Sequence, residues 1–255
     1  MDTHAATPQL NTKIALVTGA SSGIGYATAL RLAQAGAQVY ATARRTDRLA
    51  QLAQEAKTAS GGIRPLGCDL RDSAAIAKLF ERIRSDGNGL DILVNNAGLG
   101  RAAPLLSGST EAWREMLEVN VLALAVCTRE AIQEMQRHGR GGHVLHISSM
   151  AAHRVPGGGG MYSASKFAVR ALTEGLRQEL RACQSPIRIT AVSPGFVETE
   201  FAEVFHGDAA ASERTYGRFK CLEADDVAQA VLYAVSQPAH CQVHDILMRP
   251  TAQPS

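Results

Sequence analysis

From Lys13 to near the C-terminus, short apolar runs alternate with amphipathic stretches. Seven runs read as strands, at about 13–18, 37–42, 63–68, 90–94, 142–147, 187–193 and 243–247. Six stretches carry helical periodicity, at about 23–35, 47–58, 73–86, 110–137, 162–183 and 224–236. Most of the strands lack strict polar–apolar alternation, which marks a parallel sheet covered on both faces. Repeated strand–helix units with right-handed crossovers predict an α/β, Rossmann-like, doubly wound fold. The expectation is a seven-stranded parallel sheet with helices on both faces. No long linker or repeat interrupts the pattern, so the 255 residues read as one domain, with frayed ends at 1–10 and 251–255.

Composition narrows the function classes. Hydrophobic residues make up 45% and charged residues 20%, as in ordinary globular proteins. A net charge of +2 leaves no footprint for nucleic acid or membrane binding. The first residues have no signal-peptide pattern, and the apolar stretch at 121–127 is too short to span a bilayer, so a cytoplasmic protein is expected. Five cysteines without metal spacing read as reduced thiols. His143 and His146, three apart in a strand, face opposite ways, and His240 and His244 lack a carboxylate set, so no metal is expected.

Two segments carry chemistry. The turn Thr18-Gly-Ala-Ser-Ser-Gly-Ile-Gly25 follows the first strand and opens the first helix. Gly19, Gly23 and Gly25 permit a tight turn and close approach, and Ser21, Ser22 and Ile24 share it. The helix N-terminus offers free N–H groups to a pyrophosphate. The second segment is Tyr162-Ser-Ala-Ser-Lys166, whose tyrosine and lysine lie one turn apart on one helical face. Ser149, thirteen residues upstream, stands at the tip of the strand His143–Ile147. A hydroxyl on a strand tip beside a phenol backed by an ammonium suits proton transfer to a carbonyl or alcohol. An unperturbed tyrosine titrates near ~10, so a nearby ammonium is expected to favour the phenolate. With a dinucleotide turn in the same chain, the natural reading is hydride transfer.

The second strand ends in Ala43, Arg44 and Arg45, where NAD-preferring folds carry an acid. Guanidinium binds phosphate and a carboxylate repels it, so NADP(H) is expected. Asp69, followed by Leu70, ends the third strand; it is placed either to accept from an adenine amino group or to cap a helix. Asn95, Asn96, Ala97 and Gly98 end the fourth strand, small enough for a cofactor to lie flat and able to bond backbone across the sheet.

Taken in order, Thr18–Gly25, Asp69, Asn95–Gly98, Asn120, Ser149, Tyr162, Lys166 and Ser193-Pro-Gly195 resemble the short-chain dehydrogenase/reductase family over about residues 10–250. The resemblance implies a catalytic set of Asn120, Ser149, Tyr162 and Lys166. Tyr162 would be the acid/base, Lys166 would bind the nicotinamide ribose, Ser149 would hydrogen-bond the reacting oxygen, and Asn120 would hold a water linking Lys166 to solvent. The segments 95–101, 105–110, 172–181 and 245–251 are further similar to the dehydrogenase/reductase member 11 group of NADPH-dependent hydroxysteroid and diketone (carbonyl) reductases. The tail is also similar to bacterial dehydrogenases of serine and 3-hydroxy acids. The patch Gly157–Gly160 departs from the steroid-active pattern; it reads either as a close-approach loop or as a surface turn. Tyr216 and Lys220 repeat the tyrosine-plus-four-lysine spacing, but Glu203 stands where the serine would be, so they read as part of a lid or as surface.

On the substrate side, Pro194, Gly195 and Val197 form a turn expected against the nicotinamide. Thr199 would bond the carboxamide or a phosphate, or cap the next helix. The stretch 196–220 reads as a substrate lid. Candidate pocket walls are His153, Val155, Met161, Phe196 and Phe201, an apolar set that favours a ketone or secondary alcohol over a small charged acid. A catalytically idle nucleotide-sensing protein is the rival from another class. Family likeness in helices 110–137 and 162–183 implies a homo-oligomer, a dimer or tetramer.

Overall fold

The protein is represented by a computed structural model that describes residues 10–87, 89–208 and 210–254. Seven strands form one sheet in the order β3-β2-β1-β4-β5-β6-β7, and every pairing is parallel. They are β1 Ile14–Thr18, β2 Gln38–Ala43, β3 Gly62–Gly67, β4 Ile92–Asn95, β5 Gly142–Ile147, β6 Ile187–Pro194 and β7 Asp245–Met248. Along β1, Ala15 and Val17 enter one apolar layer while Ile14 and Leu16 enter the other. Helices α1 (Gly23–Gln34), α2 (Thr46–Glu55) and α9 (Ala224–Ser236) contribute to the first layer through Leu32, Leu49, Leu52, Val227 and Val231. Helices α3 (Ser73–Ser85), α5 (Leu124–His138) and α6 (Gly160–Ala182) contribute to the second through Phe80, Ile83, Met135 and Leu180. Two-sided burial is why the central strands read as continuous apolar runs.

The strand order reverses between β1 and β4. In a doubly wound sheet the crevice for a ligand opens at the carboxyl ends of those two strands. The glycine turn leaves β1 there, and Asn95–Gly98 leaves β4 beside it.

Two expectations are corrected. The stretch 110–137 is not one α-helix: α4 (Thr110–Leu117) and α5 are joined by a wider π turn, Glu118–Ala123, which carries Asn120. Periodicity cannot reveal one extra residue in a turn when the flanking apolar stripes stay in phase. The ends are also less frayed than expected. Residues 1–9 lie outside the described residues, but Leu10 is buried and its N–H donates to Ala35 O at 2.6 Å. At the other end, Gln253 Oε1 accepts from the Phe196 N–H at 3.0 Å, which fastens the tail to the turn after β6.

The stretch expected to be a lid contains two short helices, α7 (Phe201–His206) and α8 (Ala211–Tyr216). The glycine patch splits between its two readings. A side chain at Gly157 or Gly158 would meet open space, whereas Gly159 O accepts from Ser163 N at 2.7 Å and starts α6.

Candidate active site

The β1 turn is built around Asn96. Its Nδ2 donates to Thr18 O at 2.9 Å and Gly19 O at 3.2 Å, while the Thr18 hydroxyl accepts from the N–H groups of Asn96 and Ala97, each at 3.0 Å. The two loops of the crevice are thereby locked together. Gly19, at φ +66°, and Gly25 are required by this packing: a Cβ on Gly25 would lie 2.3 Å from Asn96 Nδ2, and one on Gly19 would lie 2.8 Å from the Ala97 Cα. Thr199 stands on the other side of the turn, its Cγ2 3.0 Å from where a Gly23 Cβ would be. Its hydroxyl accepts from the N–H of Phe201, the first residue of the next helix, at 3.3 Å, although the N-cap position of that helix is Glu200.

Arg45 reaches back over the turn. Its Nε donates to Ser21 Oγ at 3.2 Å, Nη2 to Ser22 Oγ at 2.6 Å, and Nη1 to Glu200 Oε2 at 2.8 Å. Arg48, on α2, donates to the other oxygen of Glu200. Arg44 is exposed and lies close enough to Asp69 to help lower its pKa. The Arg71 guanidinium takes both Asp69 oxygens, at 3.0 and 2.6 Å, and is the main reason that carboxyl is held down at about 2. The helix-cap reading of Asp69 is not what is seen; Asp72 caps α3 through Ala74 N instead. Leu70 is half-buried beside these charges and packs toward the second apolar layer.

At the ends of β5 and α6, Ser149, Tyr162 and Lys166 come together. Ser149 opens a short 3-10 turn, Met150–Ala152, and its Oγ accepts from Ala151 N at 3.0 Å. The Ser149 side chain lies near enough to the Tyr162 hydroxyl to favour its ionised form. Lys166 donates to Ile147 O at 3.0 Å, with Nζ 5.9 Å from the centre of the Tyr162 ring. The neighbouring Ser148 is buried, and its Oγ makes no hydrogen bond. Gly98 faces this group: a Cβ there would lie 3.3 Å from Asn120 Oδ1 and 3.5 Å from Lys166 Nζ. The cradle fits a flat dinucleotide, because the space a side chain would fill lies directly against the lysine.

The expected phenolate is not favoured in this state. Burial pushes the Tyr162 phenol up to about 12 against the pull of the Ser149 hydroxyl, and burial brings Lys166 down to about 8. The reason is the lid. Phe201 and Phe205 pack on Tyr162 with ring centres 5.4 and 6.2 Å away, excluding water that would solvate the anion.

The expected pocket walls divide. Phe201 lies against Tyr162, and Met161 packs against the buried cluster of Leu99, Ala103 and Met116 that Tyr162 also joins. Val155 is exposed, and Phe196 stacks edge-on with Phe219 at 5.9 Å. His153 turns inward, its Nε2 3.1 Å from Ser193 Oγ and 3.4 Å from Asp245 Oδ2. Gly195 serves the tail rather than the crevice, since a Cβ would lie 2.2 Å from Gln253 Oε1. Pro194 ends β6, and Val197 is buried in the first apolar layer. Phe205 was absent from the expected walls, although its spacing of four from Phe201 puts both rings on one helical face. Tyr216 is not surface but buried, its hydroxyl near Thr199 and Ala202.

Comparison with known proteins decides the family. The short chain dehydrogenase model matches residues 13–209. The chain belongs to the short-chain dehydrogenase family. Within that family it is 51% identical over 247 residues to dehydrogenase/reductase SDR family member 11 of Homo sapiens, covering 94% of this chain and 95% of that one. It is 37% identical to a farnesol dehydrogenase of Aedes aegypti, covering 94% and 97%. Among solved structures of short-chain dehydrogenases, the closed form of serine dehydrogenase complexed with NADP⁺ superposes with a TM-score of 0.89 at 34% identity, covering 95% of this chain and 96% of that one. Among the described residues, no helix is long and apolar enough to cross a membrane.

Proposed function

We propose that this short-chain dehydrogenase is an NADP(H)-dependent reductase of ketones, with the secondary alcohol as product or reverse substrate. The observation that carries the reading is the convergence of Ser149 and Tyr162, with buried Lys166 anchored on the strand end and Gly98 leaving flat space against the lysine. NADP(H), when bound, supplies or accepts the hydride. Arg45, Ser21 and Ser22 would hold its 2′-phosphate, as the NADP⁺ complex of the serine dehydrogenase relative supports.

In the reductive direction, Ser149 donates to the substrate oxygen and fixes its distance from Tyr162. The phenol is protonated at neutral pH, so Tyr162 is in the form that delivers a proton to that oxygen. Lys166, anchored on Ile147 O with its Nζ 5.9 Å from the centre of the Tyr162 ring, keeps a cation near the phenol as it gives up the proton. Asn120 fixes the loop carrying Gly98 and would line a water route to Lys166. Phe201, Phe205 and Met161 make the substrate side apolar, which favours a ketone with hydrocarbon flanks over a short hydroxy acid.

Half-exposed Leu117, Leu122, Phe167 and Leu172 lie on α4, the π turn and α6; they support a homo-oligomer through that face, in which Phe167→Glu would lower the mass seen by light scattering. The catalytic reading is tested by Tyr162→Phe with an aliphatic and aromatic diketone panel. Turnover should fall at least about a hundredfold while NADPH binding stays within twofold. Near-normal turnover would reject it.

A further inference from the structure

Glu200 stands at the junction between the cofactor end and the lid, and neither the glycine turn nor the acid/base group accounts for it. Its two carboxylate oxygens go to two different arginines, Oε2 to Arg45 and Oε1 to Arg48. Nε and Nη2 of Arg45 also donate, to Ser21 and Ser22, so each of its three nitrogens already holds a partner. An arriving phosphate therefore meets a guanidinium that must give up partners before it can bind in full. The partners that Ser21 and Ser22 offer are neutral, and each can rotate to donate to a phosphate oxygen. Glu200 cannot, because an ionised carboxylate only accepts and repels a dianion. The pairing with two guanidinium groups keeps it ionised, against the opposing effect of burial. Glu200 is also adjacent to Phe201, whose ring lies on Tyr162.

We infer that Glu200 is a specificity-determining counter-ion that occupies Arg45 in the free enzyme and is displaced from it, onto Arg48 alone, by the 2′-phosphate of NADP(H). The inference rests on the reading of Arg45 as the 2′-phosphate ligand. A cofactor without that phosphate has nothing to exchange with Glu200, so the carboxylate weakens binding of the phosphorylated form alone. Exposed ion pairs contribute modestly, so releasing Arg45 from Glu200 is worth no more than several-fold in affinity. Arg48 limits the effect, because it keeps Glu200 paired after the exchange.

The test is a double-mutant cycle read as dissociation constants for NADPH and NADH by direct titration. Glu200→Gln removes the charge and keeps the shape; it should tighten NADPH about three- to tenfold and leave NADH within twofold. Arg45→Gln should weaken NADPH at least tenfold toward the NADH value. In the Arg45→Gln background, Glu200→Gln should no longer tighten NADPH. If Arg45→Gln leaves the NADPH-to-NADH ratio unchanged, the phosphate-ligand reading fails and the counter-ion role falls with it. If Arg45→Gln behaves as expected but Glu200→Gln leaves NADPH binding unchanged or weaker, or tightens it equally in both backgrounds, the counter-ion role alone is overturned. Matching urea midpoints for all four proteins keep the comparison free of folding effects.

Discussion

The side chain of Asn120 satisfies both backbone polar groups of Leu99: its Oδ1 accepts from Leu99 N and its Nδ2 donates to Leu99 O, each at 2.8 Å. The second Nδ2 hydrogen goes to Ser165 Oγ at 2.9 Å, so the buried carboxamide joins the loop after β4 to α6. Asn120→Ala would strand a buried N–H and a buried C=O. A loss of about 2–3 kcal/mol is expected, seen as a lower urea midpoint, and NADPH binding should weaken because Gly98 loses its support. An unchanged midpoint would show that the loop finds other partners.

Gly25 has the tightest place in the glycine turn. A methyl there would press on Asn96 Nδ2 at 2.3 Å and Gly19 O at 2.4 Å, and Asn96 is pinned by its own bonds to Thr18 and Gly19. Gly25→Ala is expected to cost about 1–3 kcal/mol and to weaken NADPH at least about tenfold. Titration of the variant at a temperature where it is fully folded separates the two effects.

Phe205 covers Tyr162 and also closes on Gly100, where a Cβ would lie 2.5 Å from the Phe205 ring. Removing that cover in Phe205→Ala lets water solvate the phenolate, so the Tyr162 pKa should fall from about 12 toward its ordinary value. Reduction needs the protonated phenol, so the alkaline limb of kcat/KM for a ketone should move to lower pH. A pH–rate profile of the two proteins, with the limb unmoved, would refute the link between lid and phenol.

Two buried histidines set the acid limit of the fold. His143 and His146 are each held down to about 3 by burial, with nearby Arg188 and Lys166 respectively adding to the effect. Below about 6.5 the unfolded chain binds protons that the native state refuses, so stability rises with pH from about 3 to 6.5 and is lost on acidification through that window. The slope should approach about 1.4 kcal/mol per pH unit for each histidine. His146, bonded to Thr128 Oγ1 at 3.1 Å and Thr173 Oγ1 at 2.9 Å, is replaced most gently by Gln. Urea midpoints at pH 7, 6 and 5 should then show a shallower slope for His146→Gln than for the parent chain.

The sequence by itself determined the strands, the sheet class and the glycine turn. These follow from local rules: apolar runs of strand length, helical periodicity, and a turn whose glycines take conformations other residues avoid. It also determined that Tyr162 and Lys166 share a helical face, since their spacing is intrinsic to the helix. Tertiary structure alone decided how Ser149 is brought up to Tyr162, because that depends on how the strand end turns into Met150–Ala152. It decided that Asn120 sits in a π turn tied to Leu99, that Phe205 rather than Phe196 covers the phenol, and that Glu200 claims Arg45. Each of those contacts joins residues brought together by packing, from 21 positions apart for Asn120 and Leu99 to 155 for Arg45 and Glu200. No local pattern records such a pairing. The same holds for the phenol's proton affinity, which is set by the water the closed lid excludes rather than by the tyrosine's place in the chain.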